Sequence, residues 1–145
     1  MTWPIHRPAS VAQQPRIEDH METIGPLQLR VMHFLWSKGP ATVNAVQEFI
    51  NQQTSTRPLA YTTILTVMRN LSRRKFLSQK AQGRSHLFTP LIDERSYKLG
   101  MLRHLRHDLF AGKVSGLLAY LAQDEEVEPV MRERLNTMSH DGVNA

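Results

Sequence analysis

The chain has 145 residues, 41% of them hydrophobic, and carries 18 Lys and Arg against 13 Asp and Glu for a formal charge of +5. That length holds one ordinary domain, or a small domain followed by an appendage that must find a partner. With no cysteine there is no disulfide framework and no thiolate metal site, and no apolar run approaches the roughly 18 residues needed to cross a bilayer. These features predict a cytoplasmic protein with no membrane contact.

In chain order, the opening stretch MTWPIHRPASVAQQPRIEDH lacks a continuous apolar segment and is interrupted at Pro4, Pro8 and Pro15. This predicts a disordered Pro-rich arm over residues 1–23 rather than a signal peptide, with Trp3 free to dock elsewhere. Next, GPLQLRVMHFLWSKG has a Gly25-Pro26 start, apolar Leu27, Val31, Phe34 and Leu35 at helical spacing, and a Gly39-Pro40 stop. Trp36, at its end, reads as a core or junction anchor. Thr42 then suits the N-cap of a short second helix, VNAVQEFINQQ, in which Val43, Val46, Phe49 and Ile50 repeat with a helical period.

After the polar turn QTSTRP, Pro58 allows a third helix over about residues 60–74. At 100° per residue, Met68 and Leu71 fall within about 40° of Ile64, with Ala60 and Tyr61 flanking them on the predicted core face. Thr62, Thr66, Arg69 and Arg73 form the opposite stripe, edged by Thr63 and Asn70. Beyond Phe76, FLSQKA and SHLFTPL alternate about a turn at Gly83, as in a two-stranded hairpin. Three short helices and a basic-tipped hairpin give the winged helix-turn-helix order, in which the third helix enters the major groove.

Residues 93–138 read as three further helices, over about 93–110, 113–122 and 129–138, broken at Gly112 and in QDEEVEP. Their apolar positions, Leu99, Leu102, Leu105, Leu109, Leu117, Leu118, Leu121, Val130 and Leu135, are too many for so short a segment to bury alone, which predicts dimerisation. The predicted fold is therefore mainly α with a small β-hairpin wing: a winged helix-turn-helix over 24–92, an α-helical dimerisation region over 93–138 and a flexible tail over 139–145.

The charge is unevenly placed. From Phe49 to Ile92 there is no acid, whereas Arg57, Arg69, Arg73, Arg74, Lys75, Lys80 and Arg84 give +7; residues 1–48 balance four acids with four bases, and residues 93–145 carry nine acids and seven bases, or −2. A local positive field of this kind suits a polyanion. Threonines in a major groove offer a hydroxyl to a phosphate or base edge and a methyl to thymine, which suits Thr62, Thr63 and Thr66. Arginine can grip guanine O6 and N7, the role expected of Arg69, while Arg73 and Arg74, nearer the helix end, suit phosphate. Asn70 edges the same stripe. The start of the second helix, at Thr42 and Asn44, can also hold a phosphate, and Lys80, Arg84 and His86 on the wing can reach neighbouring phosphates or the minor groove.

Other chemistry is less well supplied. No cysteine, no glycine-rich phosphate loop and no acid within the basic segment leave an enzyme without parts. His104, His107 and Asp108 share a helical face with spacing that suits Zn²⁺, but no fourth ligand accompanies them, so a polar face or interfacial pair is expected, with no metal and no cofactor. A nonspecific nucleoid-type DNA binder and a winged-helix protein-interaction module are the alternative functions.

The stretches LAYTTILTVMRNLSRRKFL, LQLRVMHFLWSKGPATVNAV and GRSHLFTPL resemble the recognition helix, the first helix with the turn into the second, and the wing of the penicillinase-repressor and methicillin-repressor (BlaI/MecI-like) family. FAGKVSGLLAYLAQDEEV is similar to that family's dimerisation segment, so the resemblance covers about residues 24–137. It implies a homodimer that binds a two-fold symmetric DNA operator and represses genes, often for antibiotic resistance, with a protease or sensor protein as inducing partner. Two departures stand out. The family's Asn-Phe cleavage bond is matched here by Tyr120-Leu121, and the cysteine motif of its copper-responsive branch is absent.

Overall fold

The computed structural model describes residues 24–53 and 57–143. The expected arm over 1–23, with Trp3, and the end of the tail lie outside the described residues. The chain divides into two compact units, residues 1–97 and 98–145.

In the first unit, α1 spans Pro26–Lys38, α2 Val43–Gln53 and α3 Tyr61–Arg73; β1 (Leu77–Gln82) and β2 (Ser85–Pro90) follow, and α4 begins at Glu94. Pro26 presets the first turn of α1, and the Gln28 side-chain oxygen accepts the Gly25 N–H at 2.8 Å, satisfying a donor at the helix start. α1 stops at Gly39, whose φ of +87° lets the chain turn away. Thr42 caps α2 as expected: its hydroxyl oxygen accepts the Ala45 N–H at 3.3 Å.

The core combines Val31, Met32, Phe34 and Leu35 of α1, Val43, Val46 and Ile50 of α2, Ile64, Met68 and Leu71 of α3, and Phe76, Leu77 and Phe88 from the hairpin, with Ile92 and Tyr97 beyond it. Ala60 and Tyr61 do not join this core. Both are exposed, Tyr61 by 43%, because the core-forming positions of α3 begin only at Ile64 and its first turn projects beyond them.

The hairpin is antiparallel, with Lys80 opposite Leu87 and Gln82 opposite Ser85. Gly83, at φ +62°, takes the first central position of its two-residue turn, where a glycine is needed for the backbone to follow the strand twist. Ala41 exchanges two backbone hydrogen bonds with Phe88, of 3.1 and 2.9 Å, and so ties the α1–α2 connection to the wing. Trp36 is an anchor within this unit: its indole N–H donates to the Ile92 carbonyl at 2.8 Å and its ring lies 5.4 Å from that of Tyr97. Burial raises the Tyr97 pKa, partly opposed by the nearby Arg74 guanidinium. Asp93 starts α4 by accepting the Ser96 N–H at 3.1 Å, and its hydrogen bonds with Ser96 lower its carboxyl pKa.

In the second unit, α4 continues to Phe110, α5 spans Val114–Leu121 and α6 Pro129–Val143. α6 runs beyond the expected end at Met138, so residues 139–143 are helix rather than tail. Tertiary packing overrides a sequence of weak helix formers there: Ser139 is buried, and a Cβ at Gly142 would stand 3.3 Å from that of Ser115 on α5. Gly116 is equally confined, since a Cβ would meet the Phe110 ring at 3.1 Å. Among the described residues, every fully buried apolar side chain of the core belongs to the first unit. Of the thirteen large apolar residues exposed among those described, eleven lie beyond Tyr97.

Candidate nucleic-acid interface

The presentation of α3 begins with the turn before it. Asn51, near the end of α2, accepts the Leu59 N–H at 2.8 Å and donates to the Leu59 carbonyl at 3.1 Å, and the Gln47 amide donates to the same carbonyl at 3.1 Å. Two side chains of α2 thus hold the backbone that leads into α3 and fix where α3 starts. Sequence periodicity gave no sign of Asn51 or Gln47, because their partner is a backbone group eight or twelve residues away.

On α3, the buried Ile64, Met68 and Leu71 hold one face inward and leave Thr62, Thr63, Thr66, Arg69 and Arg73 exposed on the other, with Asn70 half-buried. The Thr66 hydroxyl donates to the Thr62 carbonyl at 2.8 Å, so its hydrogen is engaged within the helix while its methyl and remaining lone pair stay outward. The Asn70 side-chain oxygen accepts from the Arg73 guanidinium at 2.7 Å, restricting that arginine's swing. Arg69 is exposed and keeps its full set of donors for a ligand.

Arg74 differs from its neighbours. It is half-buried, with its guanidinium carbon 5.3 Å from the centre of the Phe76 ring, a cation–π arrangement. Thr42 and Asn44 sit at the start of α2; Thr42 spends its side-chain oxygen on the cap, whereas Asn44 is exposed. Lys80, Arg84 and His86 are all exposed at the wing. Strand alternation puts Lys80 and His86 on opposite faces, with His86 on the face of Phe88, so the two cannot serve one row of phosphates. Tyr61 adds an exposed aromatic ring beside Thr62 that helical periodicity had assigned to the core.

The predicted dimerisation positions lie in the second unit. Leu99, Leu102, Leu105, Leu109, Leu121 and Val130 are exposed, Leu109 by 70%, while Leu117, Leu118 and Leu135 are half-buried. His104 and Asp108 pair at 2.8 Å, and His107 approaches the other Asp108 oxygen at 3.3 Å. This carboxylate is therefore shared between two imidazoles. Among the described residues, no group of three or more His, Cys, Asp or Glu side chains is arranged to hold a metal ion. No described helix is long and apolar enough to cross a membrane.

Three helices, a hairpin wing and a polar, cationic outer face on the third helix define a winged helix-turn-helix protein. The family model described as "Penicillinase repressor" matches residues 24–140, and the chain belongs to that family. It is 33% identical over 97 residues to the transcriptional regulator BlaI of two Mycobacterium tuberculosis strains, CDC 1551 / Oshkosh and ATCC 25618 / H37Rv. Each match covers 66% of this chain and 59% of the relative, so the matched stretch spans about three fifths of those proteins. Among solved structures, the DNA-binding domain of the repressor BlaI is similar at 26% identity, covering 53% of this chain and 90% of that one with a TM-score of 0.46. The monomeric form of Bacillus licheniformis BlaI in complex with the blaP half-operator is similar over the same shares, with a TM-score of 0.43.

Proposed function

We propose that the chain is a sequence-specific, DNA-binding transcriptional repressor of the cytoplasm, without enzymatic activity, acting as a homodimer on a two-fold symmetric operator. The observation that carries this reading is the α3 stripe: Thr62, Thr66, Arg69 and Arg73 exposed together on a helix whose other face is locked into the core, within a 44-residue stretch free of acids. In the major groove, Thr62, Thr63, Thr66 and Arg69 read base edges, while Arg73, Asn44, Lys80 and Arg84 hold phosphates. Membership of the penicillinase repressor family supports the reading as a DNA-binding repressor.

The dimer is supported by the second unit, in which no leucine among the described residues is fully buried. A second copy covers these leucines. Repression then follows from occupancy of the operator, and because Tyr120-Leu121 stands where the family has its Asn-Phe bond, release comes from a protease or sensor protein acting at another bond, from a ligand, or from dilution of the dimer.

The test is selection of bound duplexes from a random pool at near-physiological salt. The expected result is enrichment of a two-fold symmetric site with half-site centres spaced by multiples of about 10 bp. Strong binding at low salt with no enriched sequence would instead identify a nonspecific nucleoid-type binder. Failure to bind any duplex would leave a winged-helix protein-interaction module.

A further inference from the structure

Lys75 is one of two non-glycine residues, among those described, with a positive φ, at +67°. It makes the turn that ends α3: the Phe76 N–H donates to the Leu71 carbonyl at 2.9 Å and the Lys75 N–H to the Ser72 carbonyl at 3.1 Å. This pair of bonds defines a Schellman ending, whose left-handed position is normally filled by glycine because a Cβ there crowds the backbone. A glycine would make the same turn without that crowding.

The fold draws no visible return from the lysine side chain. It is exposed, and its ammonium makes no hydrogen bond or ion pair among the described residues. The two preceding cations are held differently, Arg73 by Asn70 and Arg74 over Phe76. Lys75 is thus an unrestrained positive charge on a strained residue. It joins the third helix directly to the first wing strand, and both of those elements carry proposed DNA contacts. Strain retained at one residue inside such a surface points to use of its side chain.

We propose that Lys75 is a DNA-backbone contact, a lysine kept for its charge in a turn that glycine would fill more stably. A flexible ammonium past the end of the helix suits a phosphate oxygen rather than a base edge. The inference rests on the DNA-binding reading above and adds to it a contact point between helix and wing.

Three variants of the full chain separate charge from strain: Lys75→Gly removes both, Lys75→Gln removes the charge alone, and Lys75→Arg keeps both. Thermal unfolding should show Lys75→Gly raised by about 3 °C and the other two near wild type. Binding is measured against salt concentration on the duplex enriched from the random pool and on a mixed-sequence duplex of equal length. Gly and Gln at this position should each lower the slope of log K against log salt by about 0.9 per protomer bound, equally on both duplexes, while Arg leaves it unchanged.

Unchanged slopes for Gly and Gln, with wild type still binding, would overturn the Lys75 contact and leave the DNA-binding reading standing. A loss confined to the enriched duplex would overturn the phosphate assignment. A Lys75→Gly chain no more stable than wild type would overturn the claim of strain. If the wild-type chain binds neither duplex at any salt, the functional reading itself fails and takes this contact with it.

Discussion

At the scale of single residues, the proposed interface separates side chains of the α3 stripe that would read bases from side chains that would hold phosphates. Arg69 has no competing partner on its helix, so Arg69→Ala should cost about 1–3 kcal/mol on the preferred site and relax preference at one base pair, measured by competition between single-base variants of the selected duplex. Arg73→Ala should weaken all duplexes alike. Thr66 makes a sharper case, because its hydroxyl hydrogen is engaged with the Thr62 carbonyl. If the outward methyl does the reading, Thr66→Val should bind within about 0.5 kcal/mol of wild type, whereas Thr66→Ser should lose about 1 kcal/mol and its preference for thymine. The reverse order in a binding titration would assign recognition to the oxygen. This stripe was legible in the sequence because a 3.6-residue period separates Ile64, Met68 and Leu71 from the polar set. The same period puts Tyr61 beside the core face, yet it is exposed because the first turn of α3 has little cover. Arg74 shared the charge of Arg73 but not its surroundings; the Phe76 ring that draws it inward belongs to the next segment.

At the scale of elements, the position of α3 depends on side chains that no periodicity reveals. Asn51 satisfies both backbone groups of Leu59 in a partly buried turn. Asn51→Ala should therefore destabilise the first unit by about 1–3 kcal/mol, read from chemical denaturation, and weaken specific more than nonspecific binding as the start of α3 loosens. The helix limits were recovered closely where caps were clear, as at Pro26, Gly39 and Thr42. They failed at the end of α6, where Ser139 and Gly142 look like helix breakers until their packing is seen. The start of α4 carries a pH dependence. Hydrogen bonds with Ser96 lower the folded Asp93 pKa below its ordinary value near 3.8, so the cap stabilises α4 when the carboxyl is ionised. That contribution is present above pH 3.8 and fades as pH falls through the lower folded value. Asp93→Asn should reduce the acid dependence of α4 helicity in this range, as followed by residue-resolved NMR; an unchanged profile would remove the cap from the acid response.

At the scale of the whole molecule, the two units differ in kind. The first has a continuous core from Val31 to Tyr97, whereas the described apolar side chains of the second are half-buried or exposed. Introducing charge there, with Leu102→Glu and Leu109→Glu together, should turn a dimer into monomers in sedimentation equilibrium without unfolding the first unit. Binding to a single half-site should survive, while binding to the two-fold site should fall by about 10²-fold or more as the linked second contact is lost. A wild-type chain that sediments as a monomer at every concentration would refute the dimer reading. The leucine positions were legible from composition and spacing, but not the extent of their exposure, which is greatest on α4, outside the packing of α5 against α6.

The exposed leucines of the second unit have a consequence for the cell that makes this protein. If the chain binds its site only when paired, occupancy at low abundance rises with the square of the number of copies, so halving gene dosage would cut operator protection about fourfold. If the chain is the repressor proposed and its operator lies in its own promoter, growth that dilutes the protein would open the site and a modest burst of synthesis would close it. A gene switch of that kind can be thrown by copy number alone, before any inducer arrives.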